Sequence, residues 1–79
     1  MIKKGSLYQM RTLAGEPVHM LVEVLRTWNQ PDIDPICPES VAIVGMLEVI
    51  VLTGPKMGKK IKFRTNTFRR KFERISEAV

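Results

Sequence analysis

VIVLTGPKMGKKIKFRT, residues 49–65, is the stretch whose reading decides the fold. Its last part, Lys59 to Thr65, alternates by twos, so Ile61 and Phe63 point one way while Lys60, Lys62 and Arg64 point the other. That is a half-buried strand with a core face and a basic face. The middle, Gly54-Pro55-Lys56-Met57-Gly58, is made of turn residues and sends this strand back antiparallel to the one before it. The preceding partner, Ser40 to Thr53 (SVAIVGMLEVIVLT), carries the strongest strand signal of the chain. Gly45 inside it predicts a bend or bulge that lets one strand serve two sides of a barrel.

On the C-terminal side, NTFRRKFERIS (residues 66–76) admits two readings. Phe68, Phe72, Ile75 and Val79 fall at helical spacing and would make an amphipathic helix over Thr67 to Ala78. Alternatively, Asn66 to Lys71 is a single helical turn and Phe72 to Ser76 a last short strand. The second is preferred, because a β topology leaves an open edge that wants closing. On the N-terminal side, Gly5 to Thr12 alternates loosely and reads as a first strand, ended by the turn signal Ala14-Gly15-Glu16-Pro17. Val18 to Trp28 (VHMLVEVLRTW) reads as a long strand with Val18, Met20, Val22 and Val24 on one face. Asn29 to Ser40 (NQPDIDPICPES) holds three prolines and is expected to be a loop of about twelve residues, since proline interrupts both ladders and helices.

At 79 residues the chain is expected to be one domain, 1–79, with a small core. The net charge of +5 is unevenly placed: residues 54–79 carry nine Lys/Arg against two acids, while residues 29–53 carry four acids and no Lys or Arg. A basic end on a small domain raises the local concentration of polyanions. The single Cys37 cannot form an internal disulfide. The longest apolar run, Val41 to Leu52, is interrupted by Gly45 and Glu48 and is short of the roughly twenty residues of a membrane helix. No apolar signal-peptide core follows Lys3 and Lys4, so a soluble, cytoplasmic protein without membrane contact is expected.

Strand, turn, long strand, loop, long strand, tight hairpin, strand, helical turn and short strand is the order of a mainly β, five-stranded SH3-like barrel with a short helical turn before the last strand. With VIVLTGPKMGKKIKFRT as its hairpin and NTFRRKFERIS as its closing turn and strand, the chain resembles the Sm-like proteins. It is similar in style to short Sm-like barrels of phage and marine-metagenome sequences, though without the N-terminal helix or the Ile/Leu-Arg-Gly turn usual in the family. LTGPKMGKK also resembles the Gly-containing segment of KOW-type barrels. The Sm-like resemblance implies a homo-oligomeric ring in which barrel edges pair, and an RNA ligand ahead of DNA.

Lys60, Lys62 and Arg64 would stand about 7 Å apart along their strand, near the phosphate repeat of an extended single strand. The ordinary alternative is a solvated face whose lysines block edge-to-edge pairing. With Lys59, Arg69, Arg70, Lys71 and Arg74 close by, the balance tips to a polyanion surface, because a merely solvated face mixes both signs. Tyr8 and Trp28, at a strand start and a strand end, are candidates to stack on bases, and Asn66 to bond a base edge. Phe63, Phe68 and Phe72 are assigned to the core. His19, between Val18 and Met20, reads as a partly buried strand histidine. Asp32, Asp34 and Glu39 lack the glycine and terminal glutamate of a calcium loop and read as solvated carboxylates, so no metal or cofactor is expected. No nucleophile elbow or phosphate cradle occurs, and no enzyme is expected.

The strand from Val41 to Leu52 is apolar on both faces, whereas a small barrel needs one inside. Val44, Met46, Ile50 and Leu52 are therefore expected at a homo-oligomer interface. Two functions follow: an oligomeric barrel binding single-stranded RNA or DNA with little sequence specificity, or a phage-type interaction module with no nucleic-acid role.

Overall fold

The computed structural model describes residues 2–11, 17–33 and 35–76. Five antiparallel strands form one sheet: β1 (Leu7–Arg11), β2 (Pro17–Ile33), β3 (Val41–Val51), β4 (Lys60–Arg64) and β5 (Phe72–Ser76), with a helix, α1 (Thr65–Lys71), between the last two. The strand order is β4-β3-β2-β1-β5, so the chain's last two strands occupy opposite edges. Among the described residues no ladder joins β4 to β5, and the expected barrel is an unclosed sheet. The two edges nonetheless approach, because Phe63 of β4 and Phe72 of β5 meet with ring centroids 5.5 Å apart. Aromatic packing takes the place of the closing ladder.

The hairpin forms as its residues dictate. Val51 and Gly58 close the turn backbone to backbone at 2.8 Å, and Gly54 and Gly58 adopt φ of 84° and 88°, where an L side chain is strained. β4 then alternates exposed and half-buried residues from Lys60 to Arg64, with Ile61 and Phe63 against the core. The core itself is Ile2, Tyr8, Val22, Val24, Leu47, Val49, Val51, Phe68 and Phe72.

Three expectations need correction. β2 does not end at Trp28 but runs through Pro31 to Ile33, paired with β3 to the register Ile33↔Val41. A proline is tolerated there because β1 pairs β2 only up to Glu23, leaving the far half of β2 a free edge on that side. The loop shrinks accordingly. Gly45 is not a bulge either: pairing is continuous from Thr27↔Leu47 to Gln30↔Val44, and the extra residue lies in β2, at Leu25, between Val24↔Val49 and Arg26↔Glu48. Gly45 serves instead to admit α1, since a Cβ there would stand 2.9 Å from the Thr65 hydroxyl. Finally, Tyr8 is 7% exposed and meets Phe68 edge-on at 4.8 Å, so it is a core residue and no surface platform for a base. Ala14, Gly15 and Glu16 of the expected turn, the side chains of Pro17, Val18 and His19, and the whole of Asp34 and Val79 lie outside the described residues.

At the C-terminus the turn-plus-strand reading holds. Thr, Asn and Thr are weak helix formers, and Arg64 provides no side-chain cap. Burial of Phe68 sustains α1, and Arg69, Arg70 and Lys71 in its last turn suit the negative end of the helix dipole. In β5 Phe72 is 2% exposed, and Ile75, the extra residue where the β1–β5 register shifts between Tyr8↔Arg74 and Leu7↔Ser76, is 51% exposed. Phe72→Ala is therefore expected to cost about 3 kcal/mol and Ile75→Ala about 0.5 kcal/mol or less. Thermal unfolding of the two variants checks this, and equal losses would contradict the face assignment.

Candidate nucleic-acid interface

The bulge at Leu25 decides which way the end of β2 faces. One extra residue flips every later side chain to the other side of the sheet, so Arg26 and Trp28 emerge on the outer face with Glu48 and Met46, their partners on β3. There Arg26 Nε donates to Glu48 Oε1 at 3.1 Å, and its guanidinium lies 4.5 Å from the Trp28 ring centre. Trp28 Nε1 donates to Gln30 Oε1 at 2.9 Å. The indole is thus fixed in orientation, half-buried, with a cation against its ring. Arg26 was not among the residues singled out from the sequence, although its i, i+2 spacing to Trp28 in a strand already placed the two on one face.

α1 seats its first residue on Gly45, and two shallow depressions open on either side of that contact. The first, about 330 Å³, is lined by Arg64, Asn66 and Arg70 together with Thr65, Thr67, Ile43, Val44 and Gly45. The second, about 310 Å³, has Trp28, Asn29 and Arg69 on its wall, and Gly45 and Thr65 belong to both. Arg64, at the end of β4, also reaches across β3 to Asp32, Nη2 to Oδ2 3.2 Å, with both side chains about half exposed. Donors from α1 and β4 therefore face the open space, and a carboxylate from β2 competes for one of them.

Of the residues expected at a polyanion surface, the structure brings together Arg64, Asn66, Arg69, Arg70 and Trp28 around the start of α1. Lys59, Lys60 and Lys62 are exposed along the β4 edge and line neither depression. Their position at a sheet edge also fits the ordinary role of lysines that discourage strand addition. Lys71 and Arg74 are exposed but lie outside both depressions. Val44, Met46 and Ile50 occupy the outer face of β3, Leu52 directly follows the strand, and all four are half-buried within the single chain. The register sets Met46 between Arg64 and Trp28, and Ile50 between Lys60 and Glu23. Long side chains of this kind shelter apolar neighbours with their aliphatic stems.

Comparison with protein-family models, with curated proteins and with solved structures returned no match for this chain.

Proposed function

We propose that this chain is a non-enzymatic module of Sm-like type that binds single-stranded nucleic acid, RNA ahead of DNA, with little sequence specificity and as a homo-oligomer. The observation that carries the reading is the gathering of Arg64, Asn66 and Arg70 on one depression beside a second bearing Arg69 and Trp28. Guanidinium groups suit phosphate oxygens because their planar donors meet two acceptors at once. An oriented indole beside them suits a base, which stacks without regard to its identity. Asn66 supplies a donor and an acceptor for a base edge or a ribose hydroxyl. The arrangement favours contact with a bent or looped strand at the α1 corner over one laid straight along β4.

Fluorescence anisotropy with a short single-stranded oligonucleotide tests it. With three or more phosphate contacts the log–log dependence of affinity on salt has a slope of roughly −2 or steeper, at about −0.7 per contact. Absence of binding at low salt, or a flat dependence, would sink the reading in favour of an interaction module with no nucleic-acid role.

A further inference from the structure

Two chemically different surfaces meet at Arg64. On one side is the α1 corner, where guanidinium groups stand with an indole and an amide, Trp28 and Asn66. On the other is a row of lysines, Lys56, Lys59, Lys60 and Lys62, all exposed and, among the described residues, outside the ion pairs that engage Arg26 and Arg64. The row starts from a fixed turn: the Met57 N–H donates to the Gly54 carbonyl at 3.1 Å and the Lys59 N–H to that of Lys56 at 3.0 Å. From there Lys60, Lys62 and Arg64 leave one face of β4. Lys60 to Arg64 spans about 13 Å of strand, the rise of about four base pairs. The field along it has one sign, since residues 49–72 hold eight Lys/Arg and no acid. The carboxylate opposite Lys62 is Glu48, which is only 17% exposed and already accepts from Arg26 at 3.1 Å. Ile50 separates Lys60 from Glu23 of β2.

What the row lacks narrows its ligand. Unpaired nucleotides are held by stacking platforms and by groups that bond base edges, and between Lys56 and Lys62 there is no aromatic, Asn or Gln residue. A duplex keeps its bases in its own stack and offers phosphates, which lysines meet as point charges without regard to sequence. We infer that the ligand is a nucleic-acid stem–loop, with its loop at the α1 corner and its paired stem along the lysine row from Arg64 toward the hairpin tip. Arg64, which both lines the depression and ends the row, takes the phosphate at the junction. The inference rests on the nucleic-acid part of the proposed function and narrows it, from any single strand to one that folds back on itself. Met57, 69% exposed beside Lys56 and Lys59, also suits an anionic lipid surface. Continuity favours nucleic acid, because the lysines run in one line into the depression whereas Met57 alone would enter a bilayer.

Fluorescence anisotropy of the full chain tests this with an RNA stem–loop, an unpaired strand of equal length and a blunt duplex. The wild type should bind the stem–loop at least about tenfold tighter than the unpaired strand, and the duplex more weakly than the stem–loop. Lys59→Gln, Lys60→Gln and Lys62→Gln together should erase that margin and shallow the stem–loop salt slope by about 2 to 3, at about 0.9 per duplex phosphate. Binding of the unpaired strand should stay within about twofold, which also shows that the variant is folded. Arg64→Gln with Arg70→Gln should weaken both ligands. Equal wild-type affinity for stem–loop and unpaired strand overturns the inference and leaves the proposed function standing. A duplex bound as tightly as the stem–loop overturns it too, since the loop then contributes nothing. A lysine variant that keeps the margin returns these lysines to edge protection, or to lipid if it has lost binding to phosphatidylserine vesicles, and the inference fails in either case. Binding of none of the probes overturns both readings.

Discussion

Phe68→Ala is expected to cost about 5 kcal/mol, at the top of the range for a buried aromatic cut to alanine. The ring is fully buried and is the one side chain of α1 in the core. It stacks on Phe72 at 4.5 Å and 15°, meets Tyr8 at 4.8 Å and leans on Phe63 at 5.6 Å. Aromatic pairs are each worth about 0.5–1.5 kcal/mol beyond the area they bury. Three strands converge on this one ring, namely β1 through Tyr8, β4 through Phe63 and β5 through Phe72. Its loss leaves a cavity where the sheet has no closing ladder to hold its edges. Since small domains are stable by only about 5–15 kcal/mol, the variant should be largely unfolded at 37 °C. Urea denaturation followed by tryptophan fluorescence would measure it, and Phe68→Leu should recover part of the loss. A cost below about 2 kcal/mol would show that α1 does not seal the core.

Arg64→Gln with Arg70→Gln is expected to shallow the salt slope of oligonucleotide binding by about 1.4, two contacts at about 0.7 each, and to weaken binding by on the order of tenfold or more at low salt. Both side chains line the same depression, so removing them empties it of cationic donors. Lys60→Ala with Lys62→Ala should have the smaller effect, because these lysines stand on the β4 edge away from it. Asp32→Asn should act in the opposite direction. It releases Arg64 from an ion pair at 3.2 Å and removes a negative charge from the rim, so affinity should rise and the slope steepen. Equal effects from the lysine and arginine pairs would move the site to the strand face.

The strand at 60–64, its glycine-bearing hairpin, the short helix and the strand at 72–76 were all legible in the sequence, and so was the core role of Phe63, Phe68 and Phe72. The reason is local: period-2 alternation, positive-φ turn residues and a break from helical to strand spacing are properties of neighbouring residues. What only the tertiary structure decided depends on partners distant in sequence. Pro31 continues a strand because β1 stops short and leaves β2 a free edge. Trp28 and Arg26 face outward because one extra residue at Leu25 is absorbed against β3. Tyr8, expected from its place at a strand start to be free to stack on a base, is buried because Phe68 arrives from sixty residues away. Val41 and Ile43 share the periodicity of Leu47 and Val49 yet stay exposed, since α1 covers the inner face only as far as Gly45. Alternation states which residues share a face, and packing alone determines where along the strand that face is covered.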